Sequence, residues 1–300
     1  MSFENFGDYI IYDGAMGTML QKSGLKRGER PDVMNVSAPD AVEKVHRSYV
    51  EAGSDIICSN TFGANADALR ATGYSPEDII TAAVAIAKRA ADGAAKVALD
   101  IGPIGTLLEP IGELEYDKAY ELFRQQAVAG ERAGADFAAI ETMSDLSELR
   151  AAILAVVENT KLPVLASMTF DKTGRTYFGV MPGEFAEMAG KLGAAAVGIN
   201  CSKGPAEMVG VVEHIAEMSD LPLIIKPNAG LPDSVTGRYN IGPDEFASQM
   251  VRLIKTVEAV SNASPGANGP ARRRRIIIGG CCGTTPEYIR ELRKTVLYEK

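Results

Sequence analysis

The sequence is poor in histidine and cysteine and contains no long apolar run. Its 300 residues include two histidines and four cysteines, which disfavours a disulfide framework and any metal site that needs several imidazoles. No segment approaches the roughly 20 apolar residues of a membrane-spanning helix. The first ten residues hold no basic segment of a secretory signal. These absences predict a cytoplasmic protein with reduced thiols and no membrane partner.

Positive charge is also scarce. The formal net charge is −8 at pH 7, which gives no electrostatic reason to expect nucleic acid as a partner. The one basic run, Arg272–Arg275, follows a Gly/Pro/Asn/Ser-rich stretch at Ser261–Ala271. We interpret the run as the solvated flank of a loop, with a local docking patch as the alternative.

The chain does have a regular alternation of short β-branched runs and longer amphipathic stretches. At this length the alternation predicts a single (β/α)8 TIM barrel domain over residues 1–300. An open doubly wound sheet shares the pattern, but no GxGxxG motif follows the first strand. The predicted strands are Tyr9–Tyr12, Asp55–Cys58, Lys96–Leu99, Phe137–Glu141, Val164–Met168, Ala195–Ile199, Leu223–Lys226 and Ile276–Ile278, and the predicted helices are Ala41–Glu51, Asp78–Asp92, Asp117–Ala133, Leu146–Glu158, Gly183–Leu192, Ala206–Met218, Pro243–Val260 and Pro286–Val296.

Three cysteines follow predicted strands 6 and 8, at the rim where such barrels carry their active sites. Cys201, Cys281 and Cys282 offer three thiolates, a ligand set that suits zinc with its fourth position open. Glycines on both sides of the adjacent pair allow the sharp turn that such ligation needs. Small buried side chains and a vicinal disulfide are the alternatives. Cys58 lies inside an apolar strand and is interpreted as a core residue.

Glycines after strands 7 and 8 favour a second interpretation, a phosphate site of a barrel enzyme. Lys226 could then serve as a Schiff-base amine, or else as a charge partner in the barrel wall. Three thiolates have no use in phosphate binding, which favours the metal site. Both histidines, His46 and His214, fall in helical patterns and are expected at the surface.

Four motifs lie at the ends of predicted strands, namely DGAMGT at 13–18, SNTFG at 59–63, GINC at 198–201 and GGCCGT at 279–284. They resemble the homocysteine S-methyltransferase family, in the family's order and over nearly the whole chain. Three more motifs carry a closer similarity to the homocysteine-binding module of cobalamin-dependent methionine synthase, namely DIGP at 100–103, MTFD at 168–171 and PNAG at 227–230.

The resemblance implies a (β/α)8 barrel with zinc on Cys201, Cys281 and Cys282. The homocysteine thiol would take the open position as a thiolate and accept a methyl group, giving methionine. No catalytic residue beyond the zinc site is implied.

The resemblance also implies roles for residues around the metal. Glu141 would hold the substrate's ammonium with Asp13 nearby, and backbone amides at Gly14 would receive its carboxylate. Asn228 resembles the family asparagine that approaches the metal when substrate is absent. Hydrogen bonding within the rim is the alternative for Asp13 and Glu141, and loop bracing is the alternative for Asn228.

The methyl donor is left open by the resemblance. The sequence ends soon after its last predicted helix, so methylcobalamin would arrive on a partner corrinoid protein, or the chain is part of a larger enzyme. A small donor such as S-methylmethionine or a betaine is a further alternative. A corrinoid-docking module with a structural zinc is the alternative from outside the enzymes.

Overall fold

In the computed structural model, which describes residues 3–26, 28–233, 235–263 and 274–298, eight parallel strands form one sheet in the order β1-β8-β7-β6-β5-β4-β3-β2. A bridge between Tyr12 and Ile56 joins β1 to β2 and closes the ring. The predicted (β/α)8 barrel is confirmed, and the open sheet is wrong. The strands are β1 Tyr9–Ile11, β2 Ile56–Cys58, β3 Lys96–Ile101, β4 Phe137–Met143, β5 Val164–Met168, β6 Ala196–Cys201, β7 Leu223–Pro227 and β8 Ile276–Ile278.

Helices connect the strands, and all eight predicted helices are present with ends shifted by a few residues. Three short helices in the loops after β1 and β2 were not predicted, because four to seven residues carry too little periodicity. The helices are α1 Met16–Lys22, α2 Met34–Ser37, α3 Pro39–Glu51, α4 Ala66–Leu69, α5 Pro76–Ala91, α6 Tyr116–Arg132, α7 Leu146–Asn159, α8 Pro182–Lys191, α9 Val209–Met218 after a 3₁₀ turn at Pro205–Met208, α10 Pro243–Ala263 and α11 Pro286–Tyr298.

Strand side chains alternate between the barrel interior and the layer beneath the helices. Ile10 and Tyr12 belong to the interior cluster, whereas Ile11 packs with the helices. At the amino ends of the strands, Phe3 stacks on Phe137 with ring centroids 5.7 Å apart. These apolar rings cover the barrel interior at the amino ends of the strands, so the open side of the barrel is at the carboxyl ends.

No helix among the described residues is long and apolar enough to cross a membrane. Residues 264–273 lie outside the described residues, and with them most of the predicted linker and half of the arginine run. The expectation of a solvated flank is wrong for Arg274, whose side chain is 6% exposed. Its guanidinium donates to the carbonyls of Ala216 and Ser219 at the end of α9, where a cation is favoured by the helix dipole.

The predicted surface position of His46 is also wrong. His46 is fully buried on the inner face of α3, beside Val42, Val45 and Tyr49. These residues recur at the spacing of one helix face, and that face packs against the barrel. Neither ring nitrogen of His46 has a hydrogen-bond partner among the described residues. His214, on α9, is half-buried.

We expect His46→Leu to flatten the pH dependence of stability in acid. Burial lowers the pKa of His46 from 6.5 to about 4. The unfolded chain therefore binds a proton that the folded chain does not, and stability falls as the pH drops from about 6.5 towards 4. A pKa difference of this size corresponds to about 3 kcal/mol.

Urea unfolding of both proteins without metal, at pH 7 and pH 4.5, measures the difference. All other titrating groups are common to the two proteins, so the variant should lose less stability than the wild type. Equal losses would contradict the account of His46.

Candidate metal centre and substrate pocket

Three thiols meet at the open side of the barrel, and we call Cys201, Cys281 and Cys282 the thiol cluster. Cys201 ends β6, while the other two follow β8. The three Sγ atoms lie within 4.8 Å of one another, and the Sγ atoms of Cys201 and Cys282 are 4.0 Å apart. A tetrahedral zinc with bonds of about 2.3 Å would separate its sulfur ligands by about 3.8 Å. The spacing of the thiols therefore fits zinc.

Glycines let the adjacent cysteines point to one place, as their position in the sequence predicted. Gly283 has a φ of 82°, in the left-handed region. A Cβ on Gly280 would lie 2.3 Å from the Thr284 hydroxyl oxygen, so only glycine fits this close approach. The backbone of the pair is held to the end of β7 and to the loop after it by two hydrogen bonds, from Cys281 N to Pro227 O and from Ala229 N to Cys282 O.

The backbone is strained at two strand ends beside the cluster. Four non-glycine residues in the described ranges have positive φ, and three of them are Thr142 at 65°, Cys201 at 58° and Ser202 at 62°. Such conformations are unfavourable and concentrate at functional sites. The strained residues at the ends of β4 and β6 are thus Cys201 itself and residues near the thiol cluster.

Without a cation the thiol cluster carries a shared negative charge. Hydrogen bonds from Cys281 and Cys282 lower the pKa of Cys201 to about 3. The same hydrogen bond to Cys201 raises the pKa of Cys281 above its usual range and that of Cys282 to about 11. Cys201 is therefore the thiolate, and the thiols of Cys281 and Cys282 donate to it. A metal dication bound to the three sulfurs would allow all three cysteines to ionise.

Asn200 ties the thiol cluster to the end of β4. Its fully buried side chain accepts hydrogen bonds at Oδ1 from Thr142 N (2.7 Å) and Ser167 Oγ (2.9 Å). Its Nδ2 donates to Thr142 Oγ1 at 2.8 Å and approaches Cys281 Sγ at 3.9 Å. The sequence analysis predicted no role for Asn200, although its position next to Cys201 in the GINC motif could have indicated one.

Two further polar side chains border the thiols. Asn228 hydrogen-bonds to Cys201 and donates to the Ser202 carbonyl at 3.3 Å. Its Oδ1 is buried with no donor among the described residues. An amide oxygen left free beside the thiols suits the metal contact predicted for Asn228. Tyr239 hydrogen-bonds to Cys282 and covers Gly283 with its ring.

A group of buried ionisable residues lies near the thiol cluster, and we call Asp13, Asp100, Glu141 and Lys226 the acidic pocket. Lys226 Nζ is 2.6 Å from Glu141 Oε2 and 4.1 Å from the centroid of the Tyr12 ring. Lys226 is thus a charge partner, one of the two roles considered for it. Burial lowers its pKa, but the acidic groups of Cys58, Glu141 and Asp13 raise it well above the usual range, so the amine is protonated and unsuited to Schiff-base chemistry.

The predicted substrate residues Asp13 and Gly14 lie at the same opening. Asp13 Oδ2 accepts a hydrogen bond from Cys58 N at 2.7 Å, and burial raises the pKa of Asp13 to about 7. Cys58 is buried inside the barrel, as expected of a core residue. A Cβ on Gly14 would meet the Thr284 hydroxyl at 2.7 Å. Ala15 N donates to Thr284 O, so this amide is occupied, and binding of a ligand by the Gly14 amide stays a prediction.

We expect Asn200→Leu to weaken both the fold and the metal centre. The change leaves the hydrogen-bond partners of a buried amide unpaired, which lowers the free energy of unfolding by about 1–3 kcal/mol. It also frees Cys281, and loss of such an outer contact lowers metal affinity about 10- to 100-fold. Urea unfolding and zinc competition with a chelating dye measure the two effects.

Asn159→Leu is the matched control, because Asn159 also bonds a side chain and a backbone carbonyl, those of Tyr120 and Ala155, on the outer face of the barrel. It should lower stability and leave zinc affinity unchanged. Equal zinc affinities for all three proteins would contradict the role of Asn200.

Known proteins resemble this chain over nearly its full length. Methionine synthases of Mycobacterium leprae and Mycobacterium tuberculosis are 32% and 33% identical over 308 aligned positions, which cover 96% of this chain and 24% of each relative. The chain thus spans about a quarter of the length of these relatives.

Solved structures share the fold. The homocysteine methyltransferase MmuM from Escherichia coli superposes with a TM-score of 0.76 in its oxidized form, with 22% identity and 98% of each chain covered. Its metallated form gives a TM-score of 0.75, with 21% identity and 96% of each chain covered. The family model described as homocysteine S-methyltransferase matches residues 10–296. The chain therefore belongs to the homocysteine S-methyltransferase family.

Proposed function

We propose that residues 1–300 form one homocysteine-binding domain that transfers a methyl group to the thiol of homocysteine, giving methionine. The observation that carries this proposal is the convergence of three thiols near a pocket of buried carboxylates. The thiols suit the sulfur end of the substrate, and the carboxylates suit its ammonium. Membership of the family supports the reaction.

Zinc is the proposed cofactor, held by Cys201, Cys281 and Cys282. Zinc held there would leave room for a substrate thiol and would supply the positive charge that lowers the pKa of that thiol towards neutral pH. Asn200 steadies Cys281, and the free oxygen of Asn228 can fill the space before substrate enters. Thiols that must stay reduced for this role favour a cytoplasmic location.

The amino acid end of homocysteine is proposed to lie towards the barrel interior. Glu141 and Asp13 face its ammonium, and the Gly14 amide receives its carboxylate. Charge-assisted hydrogen bonds in such a buried site are stronger than neutral ones. They would fix the carbon chain and point the thiol towards the thiol cluster.

The methyl donor is proposed to be methylcobalamin on a partner corrinoid protein. Large apolar side chains are exposed on four of the loops that surround the barrel opening, which supports a protein surface docking there. They are Phe62, Leu107, Ile111, Tyr177, Leu231 and Val235, exposed by 41%, 47%, 62%, 87%, 52% and 90%. A small donor such as S-methylmethionine needs no such surface.

We expect protein purified without added metal to hold about one zinc per chain. Cys201→Ser and Cys281→Ser should each lose most of the zinc and the methylation of homocysteine, because both sulfurs belong to the proposed ligand set. Cys58→Ser is the matched control and should keep its zinc, since Cys58 lies outside the thiol cluster. Elemental analysis with a methionine assay measures both properties. A zinc content far below one ion per chain in the wild type would contradict the proposal.

The exposed apolar residues give a test of the donor. We expect Leu231→Glu with Val235→Glu to slow methyl transfer from a methylated cobalamin-binding fragment of methionine synthase at least 10-fold. Transfer from free methylcobalamin should change little, because the charges would oppose only a docked protein surface. Stopped-flow absorbance of the corrinoid follows both reactions. Equal slowing of the two would contradict protein docking, and zinc with no transfer from any donor would favour a docking module.

A further inference from the structure

The acidic pocket holds more carboxyl groups than ammonium groups. Asp13, Asp100 and Glu141 are 2%, 8% and 9% exposed, and the one ammonium of the pocket is that of Lys226. Carboxylate oxygens of Asp100 and Glu141 and the Cys58 sulfur lie within 4.8 Å of one another. Like charges at such distances in a buried site repel strongly. The pocket therefore holds three acidic groups for one ammonium, and Lys226 pairs with Glu141.

Two carboxylate oxygens of the pocket are unused. Asp13 Oδ1 and Asp100 Oδ1 are buried, and neither meets a donor within the described part of the chain. Lys226 cannot serve them directly, since its ammonium lies on Glu141 Oε2 at 2.6 Å and above the Tyr12 ring. Burial raises the pKa of both aspartates, and a cation that reached them would restore the favourable charged form.

An organic ammonium suits the acidic pocket better than a second metal ion does. Cys58, Asp100 and Glu141 have the donor types of a metal site, but Lys226 Nζ lies 2.6 Å from one of these ligands and 3.9 Å from another. A divalent ion among them would have to expel a buried, paired ammonium or lie beside it, and both are costly. A primary ammonium brings one charge and three donors, which suits two free oxygens.

We propose that Asp100 is a further substrate-binding residue, and that Lys226 is a positioning residue that occupies Glu141 Oε2 and so directs the substrate's α-ammonium to Asp13 and Asp100. The proposal rests on the proposed function, because it takes an amino acid thiol as the ligand. It assigns Asp100 and Lys226 roles in choosing between thiols with and without an α-amino group.

The pocket is placed to act on a ligand that also reaches the thiol cluster. Glu141 precedes Thr142, whose backbone and hydroxyl bond Asn200, and Asn200 in turn approaches Cys281. In homocysteine three carbons separate nitrogen from sulfur. A protein that binds both the nitrogen and the sulfur of its ligand therefore distinguishes an amino acid thiol from a thiol acid without an amino group.

Calorimetric titration of the zinc-loaded protein tests the proposal, with homocysteine and 4-mercaptobutanoate, its analogue without the amino group, as ligands. Asp100→Asn should weaken homocysteine binding roughly 10- to 100-fold, the usual effect of losing a hydrogen bond to a charged group. Binding of 4-mercaptobutanoate should change less than about 3-fold, because it brings no ammonium. Glu148→Gln is the control, since Glu148 is a buried carboxylate that bonds Ile104 N outside the pocket, and it should change neither affinity.

A double variant tests the role of Lys226 while keeping the pocket's charge balanced. Asp100→Asn with Lys226→Met makes the second carboxylate oxygen of Glu141 available to the ammonium and should recover part of the preference for homocysteine that Asp100→Asn loses. Thermal melts confirm that each variant folds, and Asp100→Ser replaces Asp100→Asn if that variant does not.

The outcomes separate this proposal from the proposed function. Equal weakening of both ligands by Asp100→Asn, or no weakening of either, overturns the role of Asp100 while wild-type binding of homocysteine still supports the function. A double variant that binds homocysteine no better than Asp100→Asn overturns the role of Lys226. A wild type that binds neither thiol overturns the proposed function and this inference together.

Discussion

The position of β7 between β6 and β8 brings the three thiols together. Pro227, the last residue of β7, pairs in register with Cys201 on one side and accepts a hydrogen bond from Cys281 N on the other. The barrel can close in this order only with the carboxyl ends of its strands at one rim. The distance between the sulfurs is therefore set by sheet register and by the glycine-flanked turn after β8, more than by any contact between the cysteines themselves.

Two clusters of acidic groups then lie near each other, and a cation is proposed to complete each of them. In the thiol cluster, hydrogen bonds from two thiols stabilise the thiolate of Cys201. The acidic pocket has three carboxylates against the ammonium of Lys226. Burying such charges is unfavourable for the fold. Backbone strain at Thr142, Cys201 and Ser202 and the unpaired oxygens of Asp13, Asp100 and Asn228 lie where zinc and an amino acid are proposed to bind.

The sequence predicted the strands and the thiol cluster because both follow from local pattern and barrel topology. β-branched runs mark the strands, and residues at strand ends must share a rim, whatever their separation in the chain. The pairing of Lys226 with Glu141 crosses from β7 to β4, and no spacing in the sequence predicts such a contact. The misjudged residues, His46 and Arg274, are polar groups buried by packing of α3 and the end of α9. Polarity alone placed them at the surface, and only tertiary structure reveals their burial.

The central claim is that the thiol cluster presents zinc with an open position to the thiol of homocysteine. X-ray absorption at the zinc edge, on protein with and without homocysteine, tests it most directly, because sulfur and lighter ligands differ in scattering and distance from zinc. The account predicts three sulfur ligands and one lighter ligand in the free protein, and four sulfur ligands after homocysteine is added. A zinc environment that homocysteine leaves unchanged would contradict it.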